Sequence, residues 1–229
     1  MKKIIAILLT ACMVFAFTAC GSQTSDTNTS NTNVSDNTTK NSSQPTENAT
    51  VNSETTATTQ PSQEDTTKVL VAYFSCTGTT KELAEYVSDG LDSDLYEITP
   101  VNPYTTDDLN YSNDDSRSTK EMNDPNSRPE ISGSIANMEQ YDIVFIGYPI
   151  WWGEAPRIVS TFVESYNFSG KTVIPFCTSS SSDIGSSGTM LEGLTSGATW
   201  LSGQRFGGGT TRDTMISWVN GLGLDVTAK

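Results

Sequence analysis

The chain has 229 residues, 27 acids against 13 bases for a formal charge of −14, and no histidine. That balance argues against a nucleic-acid partner, and the missing imidazole removes Ser-His triads and most zinc or copper sites, so neither a catalytic side chain nor a metal is assigned. Only Cys76 and Cys177 lie beyond residue 20, so no disulfide framework exists, and each sits at the end of an apolar run where a buried free thiol is the commoner state.

The chain opens with Lys2 and Lys3 ahead of an apolar run from Ile4 to Phe17, the pattern of an export signal and too short for a comfortable membrane span. Phe17-Thr18-Ala19-Cys20, followed by Gly21, resembles the bacterial lipobox, with Phe17 where Leu is usual. Residues 1–19 are therefore expected to be removed as a signal peptide and Cys20 to be lipidated; the plainer alternative is an ordinary signal with an incidental cysteine. Two or more acyl chains anchor a protein stably where one does not. From Ser22 to Thr67 the chain is nearly all Ser, Thr, Asn and Gln with scattered acids, and it buries too little to fold. As a flexible coil it reaches about 35 to 40 Å, so 20–67 is expected to be a disordered tether holding 68–229 clear of a cell membrane. An adhesive or glycosylated stalk has the same composition. The expected location is extracytoplasmic, with membrane contact through the lipid alone.

In the remaining domain, Val69 to Phe74 is a continuous apolar run, as for a strand buried on both faces of a parallel sheet. A helix is expected over Thr79 to Ser88, with Leu83, Ala84 and Val87 on one face and Gly90 just past its end. Leu95 to Ile98 reads as a second strand, and the polar stretch from Asn102 to Glu130 as holding a solvated helix around Asp107 to Met122. Tyr141 to Ile150 is the clearest strand. The helix after it opens at Pro156, places Ile158, Val159, Phe162 and Val163 on one face and ends near Tyr166. Lys171 to Cys177 is a fourth strand, in which Pro175 withholds a ladder donor and argues against a central position. Ala198 to Ser202 is a fifth, and a last helix from Thr211 to Asn220 buries Met215, Ile216 and Val219 and stops at Gly221. Five strands with intervening helices make an α/β doubly wound parallel sheet.

Such sheets bind ligands outside the carboxyl ends of their strands, where strand order reverses. Three loops fall there. Ser75-Cys76-Thr77-Gly78-Thr79-Thr80 runs straight from a strand into a helix, so amides and hydroxyls converge on the positive helix end and suit a phosphate without a basic residue. Gly78-Thr79-Thr80-Lys81 superficially resembles a P-loop, but the earlier glycine of that spacing would fall near Tyr73, inside the strand. Tyr148-Pro149-Ile150-Trp151-Trp152-Gly153 puts two indoles at a strand mouth, and adjacent residues leaving a strand point to opposite sides, so at least one is available to a flat ligand. Thr178-Ser179-Ser180-Ser181-Ser182-Asp183-Ile184-Gly185 carries hydroxyls and amides able to meet a heterocycle edge.

The first loop is similar to the Ser/Thr-x-Thr-Gly-x-Thr phosphate loop of the flavodoxin superfamily, and Tyr141 to Gly153 with Ala155-Pro156 resembles a bacterial flavodoxin-like subfamily often met as exported proteins. The resemblance covers Lys68 to Gly221. It implies strand order 2-1-3-4-5 and FMN as cofactor, a placement for which flavodoxin is itself the standard illustration. It further implies that Ser75, Thr77 and Thr80 offer hydroxyls to the phosphate while Gly78 and Thr79 lend backbone. Trp151 or Trp152 would stack on the isoalloxazine, with Pro149, Ile150 and Gly153 around them. Backbone around Gly153 and at Thr178, Ser179 and Ser180 would meet the ring's polar edge, with Gly185 also among the cofactor-binding residues. Related proteins are richer in glycine in the third loop; Ser180, Ser181 and Asp183 add bulk and a charge here.

On this reading the flavin does the electron chemistry and the protein sets affinity, potential and access. One carboxylate about 8 Å from a reduced anionic flavin costs on the order of 2 kcal/mol at an effective dielectric near 20, so an acidic protein is expected to have a low reduction potential. The partner is a redox protein or a small electron acceptor. The alternatives are an FMN-dependent NAD(P)H:quinone or azo reductase, for which no second dinucleotide fingerprint is visible, and a non-redox flavin-binding module. Finally, Thr195-Ser196-Gly197-Ala198-Thr199 resembles the Ser-Gly-Ala-Thr core of covalent FMN attachment, which would make Thr199 the acceptor; Gly193 stands where that signal usually has an acid, and the start of the fifth strand is the plainer reading.

Overall fold

The computed structural model describes residues 67–229; the signal segment, Cys20 and the tether lie outside the described residues. The sheet strands are β1 (Val69–Tyr73), β2 (Asp94–Glu97), β5 (Ile143–Pro149), β6 (Thr172–Thr178) and the short β7 (Thr199–Trp200) and β8 (Gln204–Phe206). A separate two-stranded ladder joins β3 (Thr99–Pro100) to β4 (Ile131–Ser132). The helices are α1 (Thr79–Leu91), α2 (Arg117–Asn123), α3 (Arg157–Glu164), α4 (Ser187–Glu192) and α5 (Arg212–Asn220), with a 3₁₀ turn at Met138–Gln140.

The sheet order is β2-β1-β5-β6-β7, every pairing is parallel, and β8 also pairs with β6. Counting β7 and β8 as two halves of one edge strand gives the expected 2-1-3-4-5. Alternation along the buried strands builds two cores. Leu70, Ala72, Phe74, Val144, Ile146 and Tyr148 join Ile158, Val159 and Phe162 of α3 on one face. Val69, Val71, Tyr73, Ile143 and Phe145 join Leu83, Ala84 and Val87 of α1 and Met215 and Val219 of α5 on the other. A two-sided core explains why β1, β5 and β6 read as unbroken apolar runs rather than alternating ones.

Three departures from the sequence reading have local physical causes. Gly90 lies inside α1, and the helix closes at Asp92, whose φ of 50° is left-handed. A Cβ on Gly90 would stand 2.2 Å from Ile216 Cδ1, so the glycine lets α5 approach rather than ending α1. Pro175 sits in a strand paired on both sides, against the expectation that it marks an edge. Leu201 donates to the Val173 carbonyl across the β7 side, so period two turns the donorless Pro175 nitrogen toward the same side. There the edge strand breaks between Trp200 and Gln204, and Gly203 packs so closely that a Cβ would meet the Pro175 carbonyl oxygen at 2.5 Å. The break thus meets no missing donor, and it splits the fifth strand expected over Ala198 to Ser202.

The polar excursion from Asn102 to Glu130 is bracketed by the β3–β4 ladder, extended by a bond from the Val101 amide to the Glu130 carbonyl, 2.9 Å. Its helix is the short α2, capped by Ser116, and not the longer one expected from Asp107. Asn110, Asn113 and Asp108 hold the stretch before it in side-chain turns, the usual competition of short polar side chains with helix. α2 buries Ser118, Thr119 and Met122 against the α3 face, so the stretch is packed cover rather than solvated helix.

Candidate functional site

β1 delivers its chain straight into α1 through Ser75 to Gly78. Gly78 is the N-cap, at φ 91°, and as a glycine it brings no side-chain cap. Its amide donates to Ser75 Oγ at 3.1 Å, and its carbonyl takes the Glu82 amide at 3.0 Å. The amides of Thr79, Thr80 and Lys81 have no partner among the described residues. Three donors and the positive end of a 13-residue helix thus face outward at the carboxyl end of a central strand. Thr77 and Gly78 are exposed, and Ser75, Cys76 and Thr79 are half-buried. Thr80 departs from the expected hydroxyl role: it is buried, and its Oγ1 lies 2.7 Å from Thr178 Oγ1, tying the first loop to the third.

The second loop is a two-residue hairpin in which Trp151 and Glu154 exchange both backbone bonds, each 2.9 Å. Its central residues, Trp152 at φ 47° and Gly153 at φ 83°, are both left-handed, as such a turn demands. For a tryptophan that conformation costs on the order of 1–2 kcal/mol. The two indoles part company as adjacent residues must. Trp151 is buried, edge-on to Phe74 at 5.5 Å and to Tyr104 at 5.3 Å. Trp152 is 42% exposed and leans on Tyr111, itself exposed, with ring centres 5.0 Å apart. Trp152 is therefore the indole available to a flat ligand. Pro149 and Ile150 are half-buried, and the Ile150 amide donates to the Thr178 carbonyl at 3.0 Å.

In the third loop Ser179 Oγ accepts the amides of Ser181 (3.3 Å) and Ser182 (2.9 Å), while the Ser180 amide has no partner among the described residues. Gly185 falls outside the cluster: at φ 53° it lines a cavity of about 230 Å³ with Pro175, Gly188 and Trp200, beside the break in the edge strand. Thr199 pairs with Thr172 at the opening of β6, about 20 Å along that strand from Thr178, so a flavin attached there would stand at the wrong end of the sheet.

The excursion brings residues to the site that no local pattern signals. Arg117 of α2 lies over the Tyr104 ring at 3.9 Å, pairs with Glu121 at 2.7 Å and donates to the Asn102 carbonyl at 2.6 Å. Tyr104 donates to the other Glu121 oxygen at 2.5 Å, and burial, reinforced by that bond, raises its pKa. This cluster adjoins Cys76: burial pushes the thiol up to about 12, Arg117 pulling it down and Glu121 up. Arg157, buried at the start of α3, reaches Glu154 at 2.8 Å and the Met122 carbonyl at 2.9 Å, pinning the Trp152 turn to α2. Arg205 of β8 donates twice to the Ser179 carbonyl, at 3.1 and 2.8 Å. The loops are thus ringed by arginines as well as acids, unlike the acidic surround that the net charge suggests. Cys177 is buried in the α3-face core with its pKa raised to about 12, chiefly by burial, and both Cys76 and Cys177 are free thiols.

A doubly wound parallel sheet with an uncapped helix start, an exposed indole and a hydroxyl-rich loop at one end places the chain among the doubly wound α/β proteins, whose ligands sit outside the carboxyl ends of the strands. Residues 68–222 match the flavodoxin family model, and the chain belongs to that family. No curated protein matches it. Among solved structures, a protein described as a flavoprotein from Bacteroides eggerthii is 45% identical with a TM-score of 0.66, covering 70% of this chain and 100% of its own. A counterpart from Bacteroides uniformis is 44% identical at TM-score 0.65, covering 67% and 98%. A Lactobacillus acidophilus flavoprotein crystallised with FMN is 21% identical at TM-score 0.49, covering 69% and 100%.

Proposed function

We propose that the domain binds FMN and passes electrons through it, and that lipid on Cys20 holds it outside the cell membrane. The observation that carries the first part is the uncapped start of α1, where the Thr79, Thr80 and Lys81 amides find no partner beside a glycine N-cap. The first amides of a helix have no partner within it, and with no side-chain cap here they are free to take a phosphate, as helix starts of this kind do. Ser75 and Thr77 add hydroxyls, and Trp152 offers an indole face held out by a strained turn. Membership of the flavodoxin family and the description of the two Bacteroides relatives as flavoproteins support FMN as the group.

With FMN bound, the isoalloxazine would supply the redox chemistry. The chain's own residues bind and orient it. The α1 amides fix the phosphate, Trp152 covers a ring face, and the Thr80–Thr178 and Ile150–Thr178 bonds keep the three loops in one register. Calorimetric titration of the purified domain with FMN tests this: saturable one-site binding with a flavin spectrum is expected, and absence of heat and saturation refutes it. For the anchor, labelled fatty acid supplied to producing cells is expected to appear on the full chain and to vanish in Cys20→Ser; equal labelling of the two removes the lipid reading.

A further inference from the structure

Among the described residues Arg205 is the one buried or half-buried arginine that meets no carboxylate. The other buried or half-buried arginines each meet a carboxylate: Arg117 with Glu121, Arg128 with Glu164 and Arg157 with Glu154. Among the described residues Arg205 has no carboxylate within 4.0 Å, and both its hydrogen bonds fall on the Ser179 carbonyl. It is half-buried, pairs in register with Cys177 and stands at the carboxyl ends of the strands, where the three loops meet. The nearest acid of the loop, Asp183, is exposed and turned to the Ile184 amide at 2.8 Å. Glu121 and Glu154, the acids beside the other two loops, are each held by an arginine of their own.

A trans peptide points its carbonyl and the following N–H in opposite directions. A guanidinium clamped on the Ser179 carbonyl therefore sends the Ser180 N–H away from itself, and that amide is the one left without a partner while Ser181 and Ser182 are held by Ser179 Oγ. Hydrogen bonding at the oxygen polarises the peptide and strengthens the donor at the nitrogen. Behind that donor stands a full positive charge. Both features favour negative charge on whatever the third loop touches.

We propose that Arg205, acting through the Ser179–Ser180 peptide, stabilises the reduced anion of FMN at the third loop and so favours two-electron reduction with uptake of a single proton. The inference rests on the FMN reading. Two electrons and one proton, the proton bound at N5, convert the oxidised flavin to an anion whose charge lies on the N1–C2 carbonyl edge; a second proton would neutralise it. The electrons come from an external donor, an electrode in the test. Arg205 touches no reacting atom on this account and is a positioning residue. The consequence reverses the expectation from net charge: the potential is higher than acidic composition implies, and the site suits an acceptor that takes a hydride equivalent.

The test is spectroelectrochemical titration of the FMN-loaded protein and of Arg205→Gln and Arg205→Lys, alongside FMN affinity in the oxidised state. Arg205→Gln is expected to lose about tenfold in preference for reduced over oxidised flavin, a fall of about 30 mV in a two-electron couple, while Arg205→Lys loses less. An unchanged potential in Arg205→Gln with FMN still bound overturns the inference, and so does an equal fall in both variants, which would make the role geometric rather than electrostatic. Should the variants fail to fold, the unmodified protein decides: about 30 mV per pH unit persisting well below neutrality, where free reduced flavin takes its second proton, means one proton per two electrons and supports the anion, whereas about 59 mV there means two protons and overturns it. Failure of the unmodified protein to bind FMN at all shows up first, in the titration, and removes the underlying reading together with the inference.

Discussion

Removing the phosphate from the ligand probes the start of α1 without touching the protein. Riboflavin differs from FMN by the phosphate alone, so comparing their dissociation constants isolates what the first loop contributes. Three amides, of Thr79, Thr80 and Lys81, lack partners, and the cap residue Gly78 brings no side chain to compete for them. A hydrogen bond to a charged group contributes about 1.5–3 kcal/mol net. Taking the lower figure for each, and discounting one bond because Thr77 and Gly78 leave the loop partly exposed, gives about 3 kcal/mol, or a hundredfold and more in affinity. Quenching of flavin fluorescence on titration measures both constants directly. Riboflavin binding within threefold of FMN would refute the assignment of the phosphate to this loop, whatever the fate of the isoalloxazine.

The two adjacent indoles should answer differently to truncation. Trp152→Ala is expected to leave the denaturation midpoint nearly unchanged and weaken FMN about tenfold, whereas Trp151→Ala, emptying a site packed by Phe74 and Tyr104, is expected to cost about 3–5 kcal/mol in urea unfolding. Two glycines separate steric from backbone effects: Gly203→Ala drives a Cβ to 2.5 Å from the Pro175 carbonyl oxygen and should cost about 2–3 kcal/mol, while Gly78→Ala meets open space and should cost only the φ strain of about 1–2 kcal/mol, by the same assay. Stability should be flat from about pH 6 to 8, since no histidine titrates, and should decline in alkali. Burial raises Cys76, Cys177, Tyr96 and Tyr141 to about 12, so their contribution is whole below the unfolded-state values and fades above pH 9 to 10, as the unfolded chain loses protons the folded one keeps. Thermal melts across pH 6 to 11 check this, and a midpoint that holds to pH 11 contradicts it. Breaking the Glu154–Arg157 pair by Glu154→Ala strands a buried guanidinium and is expected to cost about 2–3 kcal/mol in the same melts, less than for a fully buried pair because Glu154 is a third exposed.

What could be read in the chain is what depends on neighbours in sequence. The unbroken runs at Val69 to Phe74 and Tyr141 to Ile150 became central strands, because burial on two faces leaves no room for alternation. The helix opened by Pro156 buries Ile158, Val159, Phe162 and Val163 as their spacing requires. The first loop was legible for the same reason: a strand, a glycine and a helix in immediate succession fix where the amides point. The parting of Trp151 and Trp152 followed from their adjacency, although which of them faces solvent did not.

Residues distant in sequence escaped that reading. Gly90 looked like a stop because its true neighbour, Ile216, lies across the α1–α5 contact. Pro175 looked like an edge marker, but the break that accommodates it belongs to another strand. Arg117 and Tyr104 reach Cys76 because the β3–β4 ladder folds a polar excursion over the strand ends, and Arg205 reaches Ser179 because β8 lies beside β6. Local order along the chain thus determined the strands, the helices and the strand-to-helix loop with its unpartnered amides. Which charges surround that loop, and which indole is left exposed, was decided by packing, since electrostatics and contact act through space and no spacing along the chain encodes them.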